Sequence, residues 1–502
     1  MSVDLARVEA LCDTPALAEQ IARVAAALPI GVRVRQCPLR TFVVGMLLTV
    51  ADHRPAHLSR VHAALVSLDE ADRRRLGVTV DWHGTPHQLT YRQVEYLNTL
   101  IEAALRRDEP GGLASALLQG IVDALIEASV PDTAHKASAS LAIDWTDYES
   151  FAHPPGRDGI SSDPEAAWGH RRGGGPGEKS ELFFGHYCSL ATMVTDEDGP
   201  EVPELVRHMT LSACSHDPVP IFVEALVQVA QSGGLQLGDV LADSGYAHRV
   251  PEHFALPLRA AGANLVIDLH PQDRGPQGTH GGAICHNGNL YCPKTPTKLF
   301  ELSPLARDAS AEAVTAHDHT ATELARYKLG RVSATDPDGY HRVGCPAVMG
   351  KVRCPLRPGS MTFDFTRPEV TSPPEHPPTC CTQVTLTVPP SVNAKTAQKH
   401  DYPSKAWRRS FARRTSVERS NARVKDPATI DINKGWCRLM GLVGPTLFLA
   451  AAFAIRNVAI FEAFEARQAN NERRARSGLP PRTRRRRRTT IAELVAAANA
   501  PP

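Results

Sequence analysis

Phe411, Arg414, Glu418 and Lys425 stand at successive spacings of three, four and seven. At roughly 100° per residue, the turn of a 3.6-residue helix, they fall within about 60° of one helical face. One carboxylate is thereby bracketed by two cations on a strongly basic stretch. Two further acids each follow a short apolar run that reads as a buried strand: Asp144 after Leu141-Ala142-Ile143, and Asp243 after Val240-Leu241-Ala242. Three carboxylates delivered to one point can hold a hard divalent cation, which takes oxygen ligands and keeps several of its waters. Two such ions about 4 Å apart activate an attacking hydroxyl and stabilise the leaving oxygen of an in-line displacement. Set beside Arg413, Arg414, Arg419 and Arg423, the acids point to phosphodiester chemistry. Asp147 is a rival first ligand. Asp144 is preferred because it directly follows the apolar run, and strict strand alternation would turn Asp147 to the other face.

These acids need a scaffold. Ser140–Trp145, Leu182–Cys188, Leu205–Ser212, Asp239–Asp243 and Asn264–Leu269 read as strands, and Pro220–Gln231 and Leu256–Ala261 as helices. Strands first, then strand and helix mixed, indicate an α/β domain with a mixed sheet. Residues 1–135 read as a helical N-terminal domain that could bind DNA. Its apolar spacing recurs in Thr41–Val50, His57–Val66, Tyr91–Leu105 and Leu113–Ala128, with Asp69 and Thr90 as N-caps and Val78–Trp82 as a short strand. Residues 153–180 read as a loop. Its Gly173–Ser180 stretch is no phosphate loop, because Glu178 separates glycine from Lys179 and a strand follows. Residues 270–400 form a Cys- and Pro-rich interruption with little helical periodicity, in which Gly339–Val343 and Gln383–Val388 read as strands of a β-rich insertion. Residues 402–425 read as one basic helix stopped by Pro427, and 435–467 as one or two apolar helices.

Around the last acid, the chain resembles a bacterial insertion-sequence transposase of the DDE class, whose catalytic domain is similar to ribonuclease H. One large group of these enzymes carries Tyr-x2-Arg-x3-Glu-x6-Lys. Here the residues are Phe411-x2-Arg414-x3-Glu418-x6-Lys425, with every spacing kept and phenylalanine in place of tyrosine. Leu141–Asp147 resembles the first-aspartate strand, Asp243-Ser244-Gly245-Tyr246 the second-aspartate motif, and the long gap to Glu418 the β-rich insertion. The likeness covers roughly 136–465. It implies a ribonuclease-H-like mixed sheet with flanking helices, split into 136–269 and 401–468 around the insertion 270–400. It also implies two Mg2+ or Mn2+ ions on Asp144, Asp243 and Glu418, and cleavage of DNA strands at element ends followed by transfer to a target. Arg414, Lys425 and Arg413 would hold phosphates beside Glu418, with Phe411 near them. Trp407, one turn before Phe411, would stack on a displaced base or pack the helix to the sheet. Double-stranded DNA is the implied partner, bound by a homodimer because two ends must be joined. Two alternatives are a nuclease of the same fold without strand transfer and a catalytically inactive DNA-binding derivative.

Charge and cysteine usage complete the reading. Residues 401–502 hold 21 Lys/Arg against 8 Asp/Glu, a net of +13 in a chain whose total is +2. Such asymmetry points to a polyanion near the C-terminal fifth. The tail 469–502, with Arg482 and Arg484–Arg488, reads as disordered and able to bind DNA backbone. Eleven cysteines in 502 residues fit a reducing compartment better than a disulfide scaffold. A cytoplasmic, nucleoid-associated protein is expected, with no membrane partner; the uncharged stretch Leu439–Ile455 reads as a buried core helix. Cys285, Cys292, Cys345 and Cys354 flank turns in the insertion and form a candidate zinc set.

Overall fold

Six strands carry the chemistry-bearing part of the chain: β1 (Leu141–Glu149), β2 (Ala167–Arg171), β3 (Glu181–Met193), β4 (Val206–Ala213), β5 (Asp239–Ala242) and β6 (Asn264–Ile267). In the computed structural model, which describes residues 4–29, 36–79, 87–106, 114–156, 159–171, 181–306, 308–426 and 429–482, they form one sheet. Its order is β2-β3-β1-β5-β6, with β4 also paired to β3. β1 runs antiparallel to β3, and β3 antiparallel to β2 and β4, while β1–β5 and β5–β6 are parallel. The sheet is therefore mixed. β4 and β5 are buried along their whole length, although β4 carries Arg207, His208, Thr210 and Ser212.

The helices of the N-terminal third lie close to expectation. They include Leu39–Ala51, Leu58–Val66, Tyr91–Leu105 and Ala116–Ala128. Asp69 caps its helix by accepting from the Asp72 N–H at 2.8 Å. Thr90 closes a capping box with Gln93, two end groups satisfied reciprocally. The strand expected over Val78–Trp82 falls largely outside the described residues, and Val78 itself is buried without strand pairing. These helices do not form a separate body. Their apolar faces join one core with the sheet and with the long helix Val443–Arg476. Gln119 donates to the Met209 carbonyl on β4 at 3.1 Å, and Asp123 meets the buried His208 at 2.8 Å.

Four other expectations are corrected. The tail expected to be disordered from 469 begins as helix, because the apolar C-terminal segment is a single 34-residue helix that runs from Val443 to Arg476. It is the one helix among the described residues long and apolar enough to cross a membrane, but every side chain from Val443 to Ile455 is buried in the fold. The loop 153–180 contains β2, which buries one residue of five and so leaves almost no apolar pattern. The basic helix is broken, with Lys405–Phe411 and Thr415–Val424 joined by a 3-10 turn at Ala412–Arg414. The insertion holds two three-stranded sheets but also a 16-residue helix, Ala311–Arg326. The stretches Gly173–Ser180, Pro427–Ala428 and Arg484–Arg488 lie outside the described residues.

The insertion is tied to the sheet along β6. Lys399 N–H bonds to Leu265 O at 2.9 Å, Gln398 accepts from Ile267 N–H at 2.9 Å, and Arg259 donates to Ala394 O at 2.6 Å. Its second hairpin, between Ala283–His286 and Asn289–Tyr291, turns at Asn287 and Gly288, both at positive φ. A β-carbon on Gly288 would meet the Thr396 carbonyl at 2.2 Å, so glycine is required there by space as well as by backbone.

Candidate active site

Parallel pairing aligns the first two acids. Leu141 lies beside Val240 and Ala142 beside Leu241. Continuing that register two residues brings Asp144, within β1, level with Asp243, the residue that follows β5. Asp243 then leaves the sheet and caps the short helix Ser244–Ala247, its Oδ1 accepting from the Gly245 N–H at 2.9 Å. That bond turns Oδ2 toward the site. Gly245 has no room for a side chain: a β-carbon would lie 2.7 Å from the Trp145 ring and 3.0 Å from Asp243 Oδ1.

Glu418 arrives from the helix Thr415–Val424, and one guanidinium meets all three acids. Arg414 Nη2 lies 3.3 Å from Asp144 Oδ1 and 3.2 Å from Asp243 Oδ2, while Nη1 donates to Glu418 Oε1 at 2.6 Å. Acids spread across most of the chain thus share one cation. Burial works against the charge on Arg414, but the three carboxylates more than offset it and its pKa is raised. The site is graded in exposure: the side chain of Asp144 is 17% exposed, that of Asp243 37% and that of Glu418 51%, so it opens on the Glu418 side. Burial is the main reason that Asp144 is pushed up to about 7. Arg414 opposes that shift, and Asp243 and Glu418 add to it.

Asn421 joins this group, and sequence reading missed it. It donates to Asp144 Oδ2 at 3.2 Å. Its place three residues beyond Glu418, on the same helical face, was the available signal. Its side-chain oxygen is buried with no hydrogen-bond partner.

Asp147 takes another role. Lys425 Nζ lies 2.6 Å from its Oδ1, and Arg171 Nε donates to Oδ2 at 3.0 Å. These cations hold its carboxyl below the usual range despite burial. Arg171 also donates to Glu149 Oε1, two residues further along β1, at 2.7 Å, the spacing that sets Asp147 and Glu149 on one face of the strand.

The side chains expected on DNA are engaged inside the fold. Arg414 is held by the three acids and Lys425 by Asp147. Arg413 donates to Asp239 at 2.7 Å and to the Thr195 carbonyl at 3.0 Å. Trp407 is 6% exposed and donates Nε1–H to Ile267 O at the end of β6, at 3.0 Å. It pins the helix to the sheet and presents no face to a base. Phe411 stacks on it, with ring centroids 4.9 Å apart and planes 15° from parallel. Arg419 and Arg423 both reach Glu204, and Arg408 pairs with Asp318. The basic side chains of 408–425 are thus each met by an acid from elsewhere in the chain.

Two clusters lie apart from the acids. His248, His270 and Asp273 bring one ligand atom each within 4.8 Å of the others, but Lys395 Nζ already sits 2.8 Å from Asp273. In the insertion, Cys285 packs with Ala283, Leu290, Leu329 and Cys380. Cys292, Cys345 and Cys354 belong to a different cluster. The four-cysteine set expected from sequence is therefore divided. Compared with protein-family models, with curated protein sequences and with solved structures, the chain matches none.

Proposed function

We propose that this protein is a metal-dependent DNA transposase with a ribonuclease-H-like catalytic domain. The observation that carries the reading is the meeting of Asp144, Asp243 and Glu418 on the single guanidinium of Arg414. A position that already accommodates a buried cation among three carboxylates suits a hard divalent ion, and Asp144, Asp243 and Glu418 would hold it. The orphaned side-chain oxygen of Asn421 adds one further acceptor beside them. A mixed sheet with the first acid on a central strand and the second after its parallel neighbour supports the fold assignment.

When bound, a pair of Mg2+ or Mn2+ ions supplies a nucleophilic oxygen at neutral pH and stabilises the leaving one. The remaining work belongs to the chain. β1 and β5 hold two acids level, the cap at Gly245 aims Asp243, and Asn421 orients Asp144. Arg414 balances the acids while no other cation is present and must yield part of its contacts to one. Double-stranded DNA is the substrate, and joining two element ends requires two copies of the chain. Strand nicking and strand transfer are phosphoryl transfers of one class and use the same acids.

The test is cleavage of DNA carrying the element ends, in Mg2+, by the wild-type chain and by Glu418→Gln. Cleavage by the wild type, its abolition in the variant and nearly unchanged DNA binding support the reading. Equal cutting by the variant removes Glu418 from the site. Cleavage without joining to a target makes the protein a nuclease of this fold, and DNA binding without any cleavage by the wild type makes it an inactive derivative.

A further inference from the structure

We propose that the insertion is built around a structural zinc ion held by Cys292, Cys345, Cys354 and Cys381. The four residues line one small cavity of ≈ 10 Å³, closed by Val352, Val370 and neighbouring prolines. Cys345 and Cys354 stand nine residues apart and the other two lie farther off along the insertion, and Cys381 takes the place that spacing alone gave to Cys285. Cys292, Cys345 and Cys354 also pack into one buried cluster with Val352 and Val370.

Two further features point to a ligand. The first is a turn built twice. In Cys292-Pro-Lys294-Thr295 and Cys354-Pro-Leu356-Arg357, the N–H three residues after the cysteine bonds to the cysteine carbonyl, at 3.0 Å from Thr295 and 2.9 Å from Arg357. The same tight Cys-Pro turn thus presents a sulfur to the cavity at two of its corners, and fixed turns of this kind orient metal-bound cysteines. The second is charge. Four thiolates and one Zn2+ carry a net charge of −2. Lys294 and Arg357 line the same cavity, and no carboxylate lines it among the described residues.

No three of these sulfurs lie within 4.8 Å of one another. A tetrahedral site with Zn–S bonds of about 2.3 Å draws them to about 3.8 Å, a contraction toward the centre of the cavity. Each thiol gives its proton to solvent as its sulfur binds, so four protons leave for one ion gained.

The experiment measures metal in the purified full-length chain and does not depend on catalysis. About one zinc per chain is expected. The wild type reloaded with Co2+ should show the sulfur-to-cobalt charge-transfer absorption and the intense visible bands of a tetrahedral thiolate site. Cys381→Ser should lose the bound zinc or bind it far more weakly, whereas Cys285→Ser should retain it. A wild-type chain without zinc after growth in zinc-supplemented medium overturns the proposal. So does a cobalt spectrum without thiolate bands, which requires no variant to fold. Zinc kept by Cys381→Ser and lost by Cys285→Ser overturns the assignment of the fourth ligand.

Discussion

Asn421 donates its side-chain amide to Asp144 from a position one helical turn beyond Glu418, at 3.2 Å. The helix that delivers the third acid therefore also steadies the first. Asp144 is the most enclosed of the three, and its orientation depends on few partners. Removing a group that orients a metal-binding carboxylate typically costs about 10–100-fold in metal affinity or activity. Asn421→Ala should lower Mg2+-dependent cleavage by about that factor and raise the Mg2+ concentration needed for half-maximal rate, with DNA affinity unchanged. A rate and metal dependence equal to wild type would remove Asn421 from the site.

The raised pKa of Asp144 has a definite sign. Its folded value of about 7 lies above the ordinary 3.8, so the folded chain holds the proton more tightly than the unfolded one. The stability this group contributes is complete below about 3.8 and is lost as pH rises through about 7. Without metal, the wild type should lose melting temperature across that window relative to Asp144→Asn. Because ions bind the carboxylate, more Mg2+ should be needed for cleavage at pH 6 than at pH 8. Parallel melting curves for the two proteins across the window would sink the assignment.

The acids were legible because each carries a local signature: an apolar run ending in aspartate, or a face of fixed helical spacing. The partners of the cations were not. Arg413, Arg419 and Lys425 look like a surface for a polyanion when read along the chain, yet Asp239, Glu204 and Asp147 meet them in space. Nothing in a linear pattern records a partner two hundred residues away. The helix Ala311–Arg326 escaped notice for a different reason. It buries only His317 and Leu324, too few to write an apolar stripe. Cys285 and Cys381 show the same limit, since spacing cannot tell which thiol of a β insertion faces which cavity.

Arg414 balances three acids at once, and Arg414→Ala would leave them repelling one another. Breaking a buried pair by removing one partner costs about 3–5 kcal/mol. The exposure of Glu418 and Asp243 screens part of that, so a loss below that range, about 2–3 kcal/mol, is expected at pH 8 without metal. The loss should shrink at pH 5, where Asp144 takes up its proton, and also on adding Ca2+, which binds carboxylates. Chemical denaturation with and without Ca2+ measures this. Equal stabilisation of wild type and variant by Ca2+ would show that Arg414 and the ion do not compete for one place.

Trp407 separates packing from recognition. Its indole is buried, bonded to Ile267 O and stacked on Phe411, so Trp407→Ala should cost about 3–5 kcal/mol of stability. Trp407→Phe keeps an aromatic body but loses the N–H donor, leaving the buried Ile267 carbonyl without that bond; about 1–2 kcal/mol is expected. In neither case should the folded fraction lose DNA affinity. A base-stacking tryptophan would behave in the opposite way, with affinity falling and stability held. Fluorescence-anisotropy titrations at matched folded concentration, paired with urea melts, distinguish the two. A fall in affinity for Trp407→Phe at full stability would mean that the helix swings outward to meet DNA.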